Sequence, residues 1–339
     1  MSKSFPKFSV PESLDDWQKS ASKSGLQNTT LHDEQLASAS KIGVNQFLLL
    51  RVIWKIHKSD RIVDLSGMKG WIELAEKKLR SYQSWSTYCD SVELREERSS
   101  KERLGEPSKA TPEGNFAIAR HYQREVVKTE SEVNPQAFDT PIAARTRAKA
   151  DLSLDKGMVF LNALTTHFDF YSNWTLHRKP FIATFENAQF EARTDGYLDS
   201  PGGKTRVLIE VKPVMRFRHS PQIQMQESAQ MVAWIRSDDD LAQRTNTTRF
   251  HISQDRHQIF VTVAEYGEKY LKYLNDKNPS SSKDLSTFLT MNQYGPWDTS
   301  KKSSVKEIGT IILAITLRAE KEIRDEIKEE IKRKGKKAV

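Results

Sequence analysis

The run Arg206-Val-Leu-Ile-Glu-Val-Lys212 sets a charged pair inside a short, apolar and β-branched stretch. Such a stretch reads as a buried strand whose side chains alternate between faces, so Glu210 and Lys212 point the same way, ~7 Å apart. Ionised groups carried into an apolar sheet are costly unless they are paired or bound to a metal. The same spacing recurs at Glu76 and Lys78, Glu326 and Lys328, and Glu330 and Lys332, but there it lies in charged helical stretches and reads as a solvated face. The plain alternative for the strand copy is an internal Glu–Lys salt bridge at a strand end.

A second carboxylate stands close by. Asp195, in Thr194-Asp195-Gly196, ends a candidate strand from Phe190, and the turn sequence Asp199-Ser-Pro-Gly-Gly203 joins that strand to the one bearing Glu210. Two carboxylates and one lysine on adjacent strands outline a phosphodiester-cleaving site that works with Mg²⁺ or Mn²⁺. In that outline Asp195 and Glu210 are the metal ligands, and Lys212 touches the phosphate or the attacking water.

The following segment, Pro221 to Ile235, has a helical composition after a proline start. Gln222, Gln226 and Gln230 recur every four residues and form one stripe between apolar neighbours. Amides so placed need partners, which an active-site carboxylate, the lysine or a nucleic-acid strand could supply. The bland reading is a partly exposed polar helix edge.

An Asp, a strand carrying Glu-x-Lys and a following helix with glutamines together resemble the PD-(D/E)XK nuclease superfamily, and its fungal nuclease-like branch in particular. The resemblance runs over about residues 150 to 320, through Thr194-Asp195-Gly196-Tyr197, Ile209-Glu210-Val211-Lys212-Pro213, Gln224-Met-Gln226-Glu227, His251 to His257 and Tyr294-Gly295-Pro296-Trp297-Asp298. It implies a small mixed sheet flanked by helices, Asp195 and Glu210 as metal ligands, and Lys212 orienting water or offsetting phosphate charge. It also implies that Gln226 helps place metal or substrate. Two departures stand out: Thr194 replaces the proline of the superfamily's name, and the first core helix, about Leu152 to Phe168, contains Asp155 but no glutamate. Glu125, Glu130, Glu132 and Glu191 are the other candidates for that acid.

Composition adds a coarse frame. A net charge of +8 favours an anionic partner, of which nucleic acid is the commonest, and the nuclease reading takes DNA over RNA as its substrate. Arg216 and Arg218, in the basic and aromatic Met215-Arg-Phe-Arg-His219, read as a loop gripping phosphates, with Gln222 and Gln230 as further nucleic-acid contacts. The bland alternative is an ordinary surface loop. The single Cys89 excludes an intramolecular disulfide and suits a reducing compartment. The start of the chain lacks the apolar core of a secretory signal, and the longest apolar runs are too short to span a bilayer. The expectation is an intracellular protein, nuclear or cytoplasmic, with no membrane association. Its terminal Lys332 to Lys337 run reads as a localisation signal or a loose tail. His251 and His257 read as surface or packing histidines, because companion ligands at zinc spacing are missing.

Along the chain, residues 1–42 read as a mobile arm or loose cover, and residues 43–150 as a mainly helical region offering a surface for a protein partner. Residues 151–320 read as an α/β core of the restriction-endonuclease-like kind, and 321–339 as a charged helix end with a basic tail. Within the core, Arg249 to Gln254 and Gln258 to Ala264 form a second hairpin around Asp255-Arg256-His257. The leading expectation is a metal-dependent nuclease. The alternative is a nuclease fold without chemistry, serving as a nucleic-acid-binding or protein-interaction module.

Overall fold

A computed structural model describes residues 8–26, 29–32, 35–64, 67–98, 114–120, 159–212, 215–238, 247–276 and 283–337. Asp155, Glu125, Glu130 and Glu132 lie outside the described residues.

Nine strands are described: β1 (Val52–His57), β2 (Asn173–Thr175), β3 (Pro180–Thr184), β4 (Gln189–Arg193), β5 (Gly196–Ser200), β6 (Lys204–Lys212), β7 (Thr248–Asp255), β8 (Gln258–Glu265) and β9 (Leu289–Asp298). Seven of them form one mixed sheet in the order β1-β9-β8-β7-β6-β5-β2, while β3 and β4 pair separately. β6 runs parallel to β7, and β1 parallel to β9; the remaining neighbours in the sheet are antiparallel. The sheet is therefore mixed, as expected, but larger than the small one anticipated.

Helices cover both faces. On one side lie α1 (Leu14–Lys23), α2 (Val44–Leu49), α5 (Arg216–Arg236) and α6 (Glu268–Asn275), packed with Leu208, Ala264 and Met291 of the sheet. On the other lie α3 (Lys69–Arg80), α4 (Gln83–Arg98), a helical stretch at 159–165 and the closing helix α7 (Lys302–Lys337), packed with Val207, Ile209, Val211 and Ile252. Cover on both faces explains why β6 is buried along nearly its whole length, since alternate residues each find a core. Gly309 lets α7 approach α4: a Cβ there would collide with the Trp85 ring.

Among residues 1–42, read as a mobile arm or loose cover, the described ones pack closely: Trp17, Ala21, Leu26 and Leu31 are buried and the Trp17 indole donates to the Leu48 carbonyl at 2.9 Å. The stretch that begins at residue 43 is not helical throughout. Arg51, at φ 50°, turns the chain from α2 into edge strand β1, and its guanidinium packs 3.9 Å above the Tyr273 ring. Left-handed backbone at a non-glycine residue is uncommon, and here the buried aromatic seat of the side chain accompanies it. The N-terminal region thus contributes a strand to the sheet and helices to both cores.

Candidate active site

Strand alternation delivers Glu210 and Lys212 to the face covered by α5, the face of Leu208, while Ile209 and Val211 enter the opposite core. Asp195 does not end β4. It sits in the link from β4 to β5 and grips β6 twice: its N–H donates to the Ile209 carbonyl at 3.1 Å, and its carboxylate accepts the Val211 N–H at 3.0 Å. These two bonds flank Glu210, so the two acids are tied to one point on the sheet.

Helix α5 crosses directly over this point. It starts at Arg216, earlier than the Pro221 start expected, with non-helical geometry at His219. Lys212 donates to Glu210 Oε1 and, at 3.0 Å, to Gln226 Oε1. Gln226 Nε2 donates to the same Glu210 oxygen at 2.9 Å, and Gln230 Nε2 donates to the other at 2.6 Å and to the Arg193 carbonyl at 2.8 Å. The amide stripe therefore closes on the carboxylate and the lysine. Gln222 stands apart and donates to the Ile42 carbonyl at 3.3 Å.

Burial sets the electrostatics. It pushes the Glu210 carboxyl up to about 7; Lys212 pulls it down, and Asp195 adds to the rise. The Lys212 ammonium is also disfavoured by burial, yet Glu210 outweighs that effect and its pKa is raised. The two partners differ because Glu210 is the deeper, with 4% of its side chain exposed against 16% for Lys212. Burial governs the carboxyl, and the ion pair governs the ammonium.

Two of the four expected nucleic-acid contacts are corrected. Arg216 is buried in the first turn of α5, with its guanidinium donating to both oxygens of Glu227, to Asp255 and to Gln293. Those bonds tie α5 to β7 and β9 and leave the guanidinium inside the protein, away from any phosphate. Gln230 is likewise fully buried and committed to Glu210. The Arg218 side chain lies outside the described residues. His251 is buried beside Ser253, and burial lowers its pKa to about 4, so it packs as a neutral ring. Glu191 pairs with Arg193 on an exposed strand edge and does not supply the missing acid.

One residue at the site escaped the sequence reading. Arg178, from the link between β2 and β3, brings its guanidinium to 3.5 Å from the Asp195 carboxylate. The available signal was the basic triplet His177-Arg178-Lys179, just ahead of the strand pair that leads to Asp195.

The donor set suits a hard divalent cation, since Asp195 and Glu210 both present carboxylate oxygens. The Arg178 guanidinium already stands as a cation beside Asp195, which shows that positive charge is accommodated there. Among the described residues no group of three His, Cys, Asp or Glu side chains gathers for a metal. The remaining positions around an ion would fall to water, which Mg²⁺ commonly retains. A cleft of about 1090 Å³ opens elsewhere, at the opposite end of β6, where Arg206 and Arg318 face Glu322 and Glu326. Its mixed rim and its distance along the strand separate it from this chemistry. Among the described residues, no helix is long and apolar enough to cross a membrane. No protein-family model matches the sequence, and no curated protein matches it.

Proposed function

We propose that the protein is a metal-dependent nuclease with a PD-(D/E)XK type of core, acting on nucleic acid and on DNA in preference to RNA. The observation that carries this reading is the convergence of Lys212 and Gln226 on one oxygen of Glu210, with Asp195 bonded to the same strand one residue further on. A divalent cation held by Asp195 and Glu210 would neutralise charge at the scissile phosphate and acidify a bound water. Lys212, the more exposed of the ion pair, is placed to hold a phosphate oxygen or the attacking water and to offset charge as the phosphorus–oxygen bond to the leaving group breaks. Gln226 and Gln230 hold the Glu210 carboxylate in one orientation, and Gln226 also fixes the Lys212 ammonium.

A second reading draws on a separate observation. Both Glu210 oxygens already accept hydrogen bonds, and the third acid is missing among the described residues. These features favour a fold that binds nucleic acid or a protein partner without cleaving. Incubating the protein with labelled duplex DNA, single-stranded DNA and RNA in Mg²⁺, Mn²⁺ or EDTA separates the readings. Cleavage that EDTA abolishes is expected for the nuclease. Binding that weakens steeply with salt, without cleavage, is the signature of the binding module.

A further inference from the structure

Arg206, Arg249 and Arg318 line the cleft at the far end of β6, and they are not equally engaged. Arg206 is committed: its guanidinium donates to both oxygens of Glu326, at 2.8 and 2.7 Å. Arg318 has only 16% of its side chain exposed, and its guanidinium stacks 5.2 Å over the Phe250 ring. It lies 3.6 Å from Glu322 and 3.7 Å from the Met68 sulfur, with no oxygen acceptor within hydrogen-bond reach among the described residues. Arg249, 2% exposed, stacks 4.3 Å over Trp234 and donates to Asp238 and to the Tyr266 hydroxyl. Its Nη1 is nevertheless buried without a hydrogen-bond partner among the described residues. Buried donors are ordinarily satisfied, so two guanidiniums short of an acceptor in one cleft mark a place suited to a ligand that brings one.

We propose that this cleft binds a small molecule carrying an oxyanion, carboxylate or phosphate, that accepts from Arg318 and Arg249 while an apolar body rests on the cleft wall. Stacking of the two guanidinium faces on Phe250 and Trp234 leaves their in-plane N–H edges for an acceptor, and a carboxylate or phosphate matches that fork. The rim acids do not oppose an anion, because cations match them: Arg206 and Lys204 hold Glu326, Lys321 holds Asp325, and Lys334 holds Glu330. Phe250, Ile315 and Trp234 give the wall its apolar part, and the volume of about 1090 Å³ has room for more than a bare ion. Apolar lining with a few placed polar groups is the usual make-up of a small-molecule site. The cleft lies at the other end of β6 from Glu210 and Lys212, so the assignment stands apart from the nuclease reading.

The test is isothermal titration calorimetry in EDTA with inorganic phosphate, phenyl phosphate and benzoate. It compares wild type, Arg318→Gln, Arg249→Lys and Lys212→Met, with thermal unfolding to show that each is folded. Phenyl phosphate or benzoate is expected to saturate one site on wild type and to bind more tightly than inorganic phosphate; the tighter of the two names the oxyanion. Arg318→Gln should weaken that binding roughly tenfold, the loss of one charge-assisted hydrogen bond. Arg249→Lys keeps a cation for Asp238 but not the fork, and should weaken it too. Lys212→Met removes the cation of the candidate active site and should bind as wild type does. Arg318→Gln alters a side chain without an oxygen partner, so it decides the assignment by itself if Arg249→Lys fails to fold. Binding that the folded arginine variants retain in full, or that Lys212→Met loses, overturns the assignment. Saturable binding of none of the three probes by wild type overturns it as well and leaves water as the acceptor. Inorganic phosphate bound as tightly as phenyl phosphate overturns the apolar body.

Discussion

The Asp195 carboxylate accepts the backbone N–H of Val211, the residue between Glu210 and Lys212. A carboxylate so used is both a candidate ligand and a clasp on the strand, and the two roles can be separated by substitution. Asparagine keeps an oxygen for the Val211 N–H; alanine leaves that donor without its partner. Asp195→Asn should therefore change the unfolding free energy little, whereas Asp195→Ala should cost ~1–3 kcal/mol. Both should lose Mn²⁺ uptake. Urea titration read alongside Mn²⁺ electron paramagnetic resonance checks the pair, and equal stability of the two variants would remove the clasp.

Glu210 gives a pH dependence whose sign is fixed by burial. Its folded carboxyl is raised from 4.5 to about 7, so the protein binds this proton more tightly when folded. The resulting stability is complete below the unfolded value and is lost as pH rises through about 7. Glu210→Gln removes that loss. In EDTA, its stability relative to wild type should be more favourable at about pH 8 than at about pH 5. An identical difference at both pH values would show that Glu210 is charged in the metal-free fold.

Arg216 should matter to the fold rather than to nucleic-acid contact. Arg216→Met would strand Glu227 and Asp255 as buried acids without their cation, a change that typically costs ~3–5 kcal/mol. Thermal and urea unfolding of the variant measure this directly. A loss of nucleic-acid affinity at unchanged stability would restore Arg216 to the binding surface.

Gly309→Ala tests the packing of α7 against α4. The added methyl meets the Trp85 ring, which is itself buried, and overpacking of this kind costs ~1–3 kcal/mol. Unfolding of Gly309→Ala compared with Gly309→Ala/Trp85→Leu reads the clash. The second change should recover part of the loss.

How much of this was legible in the sequence depends on whether the signal was local. The Glu210–Lys212 strand and the hairpin of β7 and β8 were readable because alternation and turn residues sit within a few positions of each other. The glutamine stripe announced that partners were needed, though not that Gln230 would be buried against Glu210 instead of facing a ligand. β1 was hidden because Phe47 to Trp54, apolar apart from Arg51, carries α2, a left-handed turn at that arginine and the start of a strand with no Gly, Pro or Asn to mark the change. Arg216 was misread because a basic loop and a buried clamp look alike until Asp255, 39 residues away, comes into contact. Trp17, Ala21, Leu26 and Leu31 were too sparse among Ser, Lys and Asp to announce a packed segment.

In the proposed nuclease, Asp195, Glu210 and Lys212 act together on a phosphodiester with a divalent cation. The most direct measurement is Mn²⁺-supported cleavage of labelled DNA by wild type, Glu210→Gln and Lys212→Met, with Mn²⁺ uptake recorded on the same preparations. Wild type is expected to cleave, Glu210→Gln to lose both uptake and cleavage, and Lys212→Met to retain uptake without turnover. Cleavage by folded Glu210→Gln at the wild-type rate, or none by wild type that has taken up Mn²⁺, would contradict this mechanism.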